Sequence, residues 1–295
     1  TCTGCSSLST TPGANALPTD FLRPYQGYGN INLWEFSAYA NYKALQTSIS
    51  RRFDKGLMFS FHYTRSSTYG IAGGDWDGAR IDGKDKEANY GPVGNHRPNV
   101  FVTSFVYQTP EVAKGALGYV VNGWQLSGNW RWMSGTPFGV GYSISGIGAA
   151  NLTGSDQGAR IIITGDHGKG YSSDPYKQFN TSAFQAPNVG SNGLESPRVY
   201  MINQPTNNMD LSLSKSFGLG GKRRVEIRLD AFNALNHTQF SGVNATANYS
   251  GLSDRTTVTN LPYNAAGVLT NRTGFGTVSG VRPARQLQLM SRFSF

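Results

Sequence analysis

A chain of 295 residues with 12% aromatic and only 15% charged residues holds too much Phe, Tyr and Trp for a disordered polymer, and none of its runs approaches the ~18 apolar residues that a spanning helix requires. The net charge of +9 comes from Lys and Arg scattered singly or in pairs such as Arg51-Arg52 and Arg223-Arg224; with no basic helix or stripe, nucleic acid is not expected as a partner. What remains is an all-β chain rich in Gly, Asn and aromatics, either soluble or in an outer membrane.

Residues 1–40 show no alternation and read as a loop-rich N-terminal part, an extracellular loop or the remnant of a preceding strand. Cys2 and Cys5 stand there in a C-x-x-C spacing. A zinc site needs two further ligands, and His62, His96, His167 and His237 are far apart along the chain. A redox motif belongs in a βαβ context, which is absent. The pair reads as a local disulfide or as two thiols in a loop. The sequence begins with Thr and no charged-then-apolar leader follows, so it reads either as a chain stripped of a targeting segment or as the C-terminal piece of a longer one.

From residue 41 onward side chains alternate with period two, the mark of strands with two unlike faces. Leu45, Thr47, Ile49 and Phe53 oppose Gln46, Ser48, Ser50 and Arg52. After Asp54-Lys55-Gly56, a short hairpin turn, Leu57, Phe59, Phe61 and Tyr63 oppose Met58, Ser60, His62 and Thr64. The next strand, 99–108, is apolar on both faces (Phe101, Phe105 and Tyr107 against Val100, Val102 and Val106), so its facing stays open. Trp124, Leu126, Trp130 and Trp132 then oppose Gln125, Ser127, Asn129 and Arg131. Met209, Leu211, Leu213 and Phe217 oppose Asp210, Ser212, Ser214 and Ser216. Val225, Ile227, Leu229 and Ala231 oppose Arg224, Glu226, Arg228 and Asp230, and Leu287, Leu289, Phe293 and Phe295 oppose Gln286, Gln288, Arg292 and Ser294.

Strands predicted at 41–53, 57–66, 99–108, 121–134, 207–217, 224–235 and 285–295 leave gaps of 3, 32, 12, 72, 6 and 49 residues. Short and long connections alternate throughout. A soluble sandwich has no reason to gather its long loops at one end, whereas an outer-membrane barrel has short periplasmic turns and long extracellular loops. The strands also meet the ~9–11 residues that a tilted strand needs to cross hydrocarbon. On this reading Phe53, Tyr107, Trp124, Phe217 and Phe295 form an aromatic girdle at the short-turn end of the apolar face. Tyr63 and Trp132 mark a second girdle toward the long loops. Arg51 and Lys215 also fall on the apolar face, near the short turns, where they are expected to snorkel to headgroups. The opposite face would line a wet lumen, with Arg224, Glu226, Arg228 and Asp230 as a polar ladder, because burying such charges in a dry core is costly. The expected fold is all-β: an antiparallel transmembrane barrel segment of about seven long strands, open and curved as it stands, spanning 41–295. Outer-membrane lipid is its expected partner.

The motifs along these strands resemble the C-terminal part of a TonB-dependent outer-membrane receptor of the Oar-like group. They include Asn41-Tyr42-Lys43-Ala44-Leu45-Gln46 with Arg51-Arg52-Phe53, Tyr63-Thr64-Arg65-Ser66, and His96-Arg97-Pro98-Asn99-Val100. Gly123-Trp124-Gln125-Leu126-Ser127-Gly128 leads into Ser134-Gly135-Thr136-Pro137-Phe138, and Phe179-Asn180 is followed by Ala183-Phe184. Asp210-Leu211-Ser212-Leu213-Ser214-Lys215, Asp230-Ala231-Phe232-Asn233-Ala234-Leu235-Asn236-His237, Phe275-Gly276 and Arg282-Pro283-Ala284-Arg285-Gln286-Leu287-Gln288 complete the set. The segment 185–206 departs from the pattern apart from Pro197-Arg198, and the family's plug, TonB box and N-terminal extension are not in this sequence. The resemblance implies a 22-stranded barrel in the complete protein, residence in the bacterial outer membrane, uptake of a substrate past a plug, and energy from a TonB-type complex acting through the missing N-terminal plug and barrel strands. It also implies that Phe293 and Phe295 belong to the aromatic signal read by the barrel assembly machinery.

No enzyme, cofactor or metal is expected. G-x-S-x-G, H-E-x-x-H and P-loop patterns are missing, and Gly218-Leu219-Gly220-Gly221-Lys222 reads as a turn between two strands. Asp75, Asp77, Asp82, Asp85 and Glu87 miss the EF-hand spacing and alternate with Arg80, Lys84 and Lys86, as in a solvated loop. Ligand contact is expected from the loops 67–98, 135–206 and 236–284, through exposed rings such as Tyr171, Tyr176 and Tyr249. The alternatives are a non-transporting barrel, adhesin-like or structural, and a soluble β-sandwich carbohydrate-binding module.

Overall fold

A computed structural model of the chain describes residues 25, 27–28, 31, 35–71, 86–145, 159–170, 172–188, 191, 193–221 and 223–295. Cys2, Cys5, Asp75, Asp77, Arg80, Asp82, Lys84, Asp85, Tyr171, Lys222 and nearly all of 1–40 lie outside the described residues. Seven long strands form one antiparallel meander: β1 (Ala40–Asp54), β2 (Leu57–Gly70), β3 (Asn99–Gln108), β4 (Trp124–Met133), β5 (Thr206–Gly218), β6 (Arg224–Phe232) and β7 (Gln286–Ser294). Each pairs with its neighbours in the sequence. The two-residue strand Gly91–Pro92 adds to the end of β2. The sheet is open, since β1 and β7 do not pair with each other.

The β1–β2 turn follows from its residues. Lys55 and Gly56 both have positive φ, 49° and 80°, the two-residue geometry that matches strand twist. A Cβ on Gly56 would also stand 2.3 Å from the Gln108 carbonyl oxygen of the next strand. Just before this turn the register shifts between Arg51 and Asp54. Arg52 and Phe53 together face Met58 across the resulting bulge, so simple alternation no longer assigns Phe53 to the apolar face. Arg51 pairs with Asp54 at 3.1 Å.

Three of the expected strand bounds change by three residues or more. The strand expected to end at 66 runs on to Gly70. The strand expected from 121 begins at Trp124, because Gly115–Val121 forms a short helix, α1, bracketed by positive-φ Gly115 and Gly123. The strand expected to run to 235 ends at Phe232; Asn233 takes φ of 50° and turns the chain. Lys215 is also corrected. It does not snorkel to solvent but is 6% exposed, donating its ammonium to the Val120 and Asn122 carbonyls at 2.8 and 2.7 Å. Its Nζ lies 4.7 Å from the Trp124 ring centroid. Carbonyls left unpaired at the end of α1 supply the partners that bulk headgroups were expected to supply.

The sheet is not where the main core sits. Its two edge strands are exposed along their whole length. The buried cluster lies in the long connections: Val140, Ile144, Ile161, Phe179, Phe184, Tyr249 and Phe275 are its larger members. Short strands organise it. Gly141–Ile144 runs parallel to Thr246–Tyr249, and Phe240–Val243 pairs with Val278–Val281. Pro137–Phe138 pairs with Met201–Ile202, and Ile162–Ile163 with Phe184–Gln185.

Candidate functional site

The register fixes what each face of the sheet presents. In an antiparallel ladder directly opposed residues share a face. One row reads Thr47, Tyr63, Phe101, Trp132 and Asn207 from β1 to β5; another reads Leu57, Tyr107, Leu126, Leu213, Leu229 and Leu289 from β2 to β7. Such rows set the alternating apolar residues of neighbouring strands, from Leu45 and Ile49 in β1 to Leu287 and Leu289 in β7, on one face. β3 is settled by this test: Phe101, Phe105 and Tyr107 join Phe59, Phe61 and Tyr63, while Val100, Val102 and Val106 join Met58, His62 and Thr64.

At the long-loop end, Tyr63 stacks on Phe101 at 4.4 Å and Trp132 meets Phe101 edge-on at 5.5 Å. Sequence reasoning named Tyr63 and Trp132 but missed Phe101 between them and Trp130 beside them (Phe101–Trp130 6.5 Å), because β3 had no legible facing. At the short-turn end, Trp124 pairs across to Lys215, and Phe217 to Val225 and on to Phe293. Phe293 and Phe295 lie 6.1 Å apart, with Phe295 93% exposed. Mid-face, Gly128 lets the Phe105 ring lie flat, since a Cβ there would be 2.6 Å from it.

The opposite face gathers the polar residues. Arg224, Glu226, Arg228 and Asp230 fall there together, beside Ser212, Ser214 and Ser216 of β5 and Gln288 and Arg292 of β7. Within the ladder Arg228 pairs with Asp230 at 2.8 Å. At the long-loop mouth of this face stand three arginines that spacing did not connect. Arg131 lies between Val102 and Asn208, Arg97 donates to the Ser134 carbonyl, and Arg282 donates to the Thr206 hydroxyl. Burial, then the nearness of Arg282 and Arg131, lowers the pKa of Arg97.

Above this mouth the long connections fuse into one cap. Arg160 ties two of them, donating to the Ala88 and Ser196 carbonyls and to Asn89 Oδ1; burial, then Arg198, lowers its pKa. Tyr249 was expected to be exposed and is instead fully buried, drawn in by the parallel pairing of its strand with Gly141–Ile144. Burial pushes its hydroxyl pKa up. Tyr176 stays half-buried at a pocket of ≈ 290 Å³, lined also by Lys169, Lys177, Phe179 and Tyr263. There the Tyr263 hydroxyl donates to Asp174 at 2.7 Å and Lys177 lies over its ring.

His96 anchors the first long connection, between β2 and β3, to the end of β2. It is 5% exposed, its Nδ1 accepts the Thr68 amide at 3.0 Å, and its ring meets Tyr69 edge-on. Burial, then Arg65, holds its pKa below the ordinary value. The folded chain thus keeps the ring neutral while the unfolded chain takes up a proton near pH ~6.5. Stability from His96 is present above about pH 6.5 and is lost as the pH falls through its lowered folded value. Thr68 amide exchange, corrected for its intrinsic pH dependence, should speed up between about pH 7 and 5, and His96→Asn should remove that acceleration. A flat profile in the unsubstituted protein would count against a buried neutral ring.

The outer membrane beta barrel domain model matches residues 6–288. The chain belongs to this family. No curated protein and no solved structure matches it. The match places the protein in the bacterial outer membrane and fits the open all-β meander described above. An outer-membrane barrel satisfies every backbone group by closing on itself. Among the described residues, β1 and β7 each keep one edge without a partner strand.

Proposed function

We propose that the domain is the C-terminal barrel section of a TonB-dependent transporter or receptor of the Oar-like group, and that it catalyses no reaction. The observation that carries this reading is how the resembling motifs meet. Asp210 accepts the Asn233 amide at 2.9 Å, and the Asn233 side chain donates to the Pro283 carbonyl at 3.2 Å. Three motifs separated by 23 and 50 residues are thereby locked together where β5, β6 and β7 reach the cap. The apolar face, with Tyr107, Trp124, Phe217, Tyr63 and Trp132, contacts outer-membrane lipid. The polar ladder and the Arg97, Arg131 and Arg282 mouth face a water-filled lumen closed by a plug. The cap supplies the ligand-contacting surface, and the energy reaches the plug from a TonB-type complex.

The test is capture of the intact protein, in detergent, by the purified periplasmic domain of the TonB protein. Specific capture that is abolished by deleting the plug's N-terminal box supports transport. Its failure would overturn the transport reading and leave an adhesin-like or structural barrel.

Phe293 and Phe295 are proposed as part of the signal that the barrel assembly machinery reads. Their burial at an interface contributes only ~1.5–3 kcal/mol each, so Phe293→Ala with Phe295→Ala should lower the outer-membrane level far more than the heat resistance of barrels that do assemble. Normal levels would remove the assembly role.

A further inference from the structure

Among the described residues, the connection between β3 and β4 is the one short-turn connection that carries a helix, and its surface is out of keeping with its position. Val112, Leu117, Tyr119 and Val120 are 71%, 63%, 66% and 64% exposed. This is not a loose loop. The Asn122 side chain accepts the Val112 and Ala113 amides and donates to the Ala113 carbonyl. Thr109 and Trp124 close its base, the Thr109 amide donating to the Trp124 carbonyl and the Trp124 amide to the Thr109 hydroxyl. The end of α1 is fixed to the apolar face of the sheet, because Trp124 Nε1 and Lys215 Nζ, both from that face, donate to the Val120 carbonyl at 2.8 Å each.

A rigidly held segment that displays apolar side chains pays for that display unless something apolar covers it. Its neighbours say what does. α1 continues, without a break, the end of the face that carries Tyr107, Trp124 and Phe217. Leu117 and Val120, one helical turn apart, share a side, and Tyr119 adds an amphipathic ring of the kind favoured at a bilayer boundary. The charges of the segment, Glu111 and Lys114, precede the helix. Lys215, buried beneath the end of α1, donates to the Asn122 carbonyl and joins Trp124 Nε1 on that of Val120, so neither carbonyl enters the interface unpaired.

We propose that α1 is an interfacial anchor: it lies in the periplasmic leaflet of the outer membrane, inserting Leu117, Tyr119 and Val120 among phospholipid chains and setting the depth of the barrel. This rests on the apolar face of the sheet being the lipid face. A surface helix of this kind binds through the apolar area it buries, so the occupant is the lipid itself rather than a protein.

The experiment uses the intact protein with Cys2 and Cys5 replaced by Ser, reconstituted in phosphatidylethanolamine–phosphatidylglycerol vesicles. Single nitroxide labels are placed by Leu117→Cys and Val120→Cys, with Leu213→Cys on the apolar face, Ser212→Cys on the polar face and Lys55→Cys in the neighbouring short turn as references. The reading is the ratio of collision with oxygen to collision with a water-soluble nickel chelate. Ratios at 117 and 120 that approach that of 213 and exceed that of 55 several-fold support the anchor. Ratios at 117 and 120 equal to that of 55, with 213 high, would place α1 in water and overturn it alone. Low collision with both reagents at 117 and 120 would mean that protein covers the helix and would equally overturn it. A low ratio at 213 would overturn the facing of the sheet itself, and the anchor with it.

Discussion

Phe275→Ala should open the loop cap while leaving the seven-stranded sheet standing. Phe275 is fully buried and meets Phe179 and Phe184 edge-on at 5.2 and 5.9 Å. Its backbone holds the same junction, with the Phe275 amide on the Asn260 carbonyl and the Gln178 amide on the Gly276 carbonyl. Truncating a buried Phe costs about 3–5 kcal/mol through lost transfer energy and the cavity left behind. If the cap opens as a unit, that is about two to four orders of magnitude in its opening equilibrium. Amide exchange of Ala247, Ile163 and Val243 should accelerate together by that factor in detergent, while Leu213 and Leu229 keep their protection. Tyr249→Phe, at a side chain just as buried, should be neutral or stabilising. Its hydroxyl is buried with no hydrogen-bond partner among the described residues, so removing it removes a desolvation cost. Loss of protection in cap and sheet together would show that the cap is not an independent unit.

The second large effect is a difference between adjacent residues. Leu211 faces Gly128 and Ala231 in mid-sheet on the apolar side, and Ser212 faces Ser127 and Asp230 on the polar side. Leu211→Arg puts a cation into hydrocarbon near mid-membrane at ~2–4 kcal/mol. Ser212→Arg places the same group in water beside Asp230, at little cost. The intact protein carrying Leu211→Arg should reach the outer membrane poorly and lose heat resistance, and Ser212→Arg should behave as the parent does. Equal outcomes, or the reverse, would break the register of β5.

The strands were legible because each carries the signal locally: period two needs only the strand itself, and the short-long rhythm needs only counting. The facing of β3 was not legible, because valines at 100, 102 and 106 make both of its sides apolar; only pairing with Tyr63 on one flank and Trp132 on the other resolves it. Lys215 looked like a snorkelling residue because its partners, the carbonyls of Val120 and Asn122, lie more than ninety residues away. Helix α1 hid in what reads as a 12-residue connection, since its seven residues are too few to show a helical period, Val121 at its end has strand-like propensity, and the glycines at 115 and 123 that bracket it are only punctuation in the sequence. The cap was misjudged for a similar reason. Its segments are polar and Gly-rich one at a time, and the core forms only when Ile144, Tyr249 and Phe275, far apart in the chain, are brought together by short strand pairs.

The central claim, that this outer-membrane domain sets one face of a single sheet in lipid and the other in water, is tested most directly along β6. Single cysteines at 225, 226, 227, 228, 229 and 230 in the intact protein, with Cys2 and Cys5 replaced, can be probed in isolated outer membranes with a charged, membrane-impermeant maleimide. The account predicts strict alternation: Glu226, Arg228 and Asp230 positions react, while those of Val225, Ile227 and Leu229 do not, reacting instead with a lipid-soluble maleimide. Uniform labelling along the strand, or alternation in the opposite phase, would contradict it.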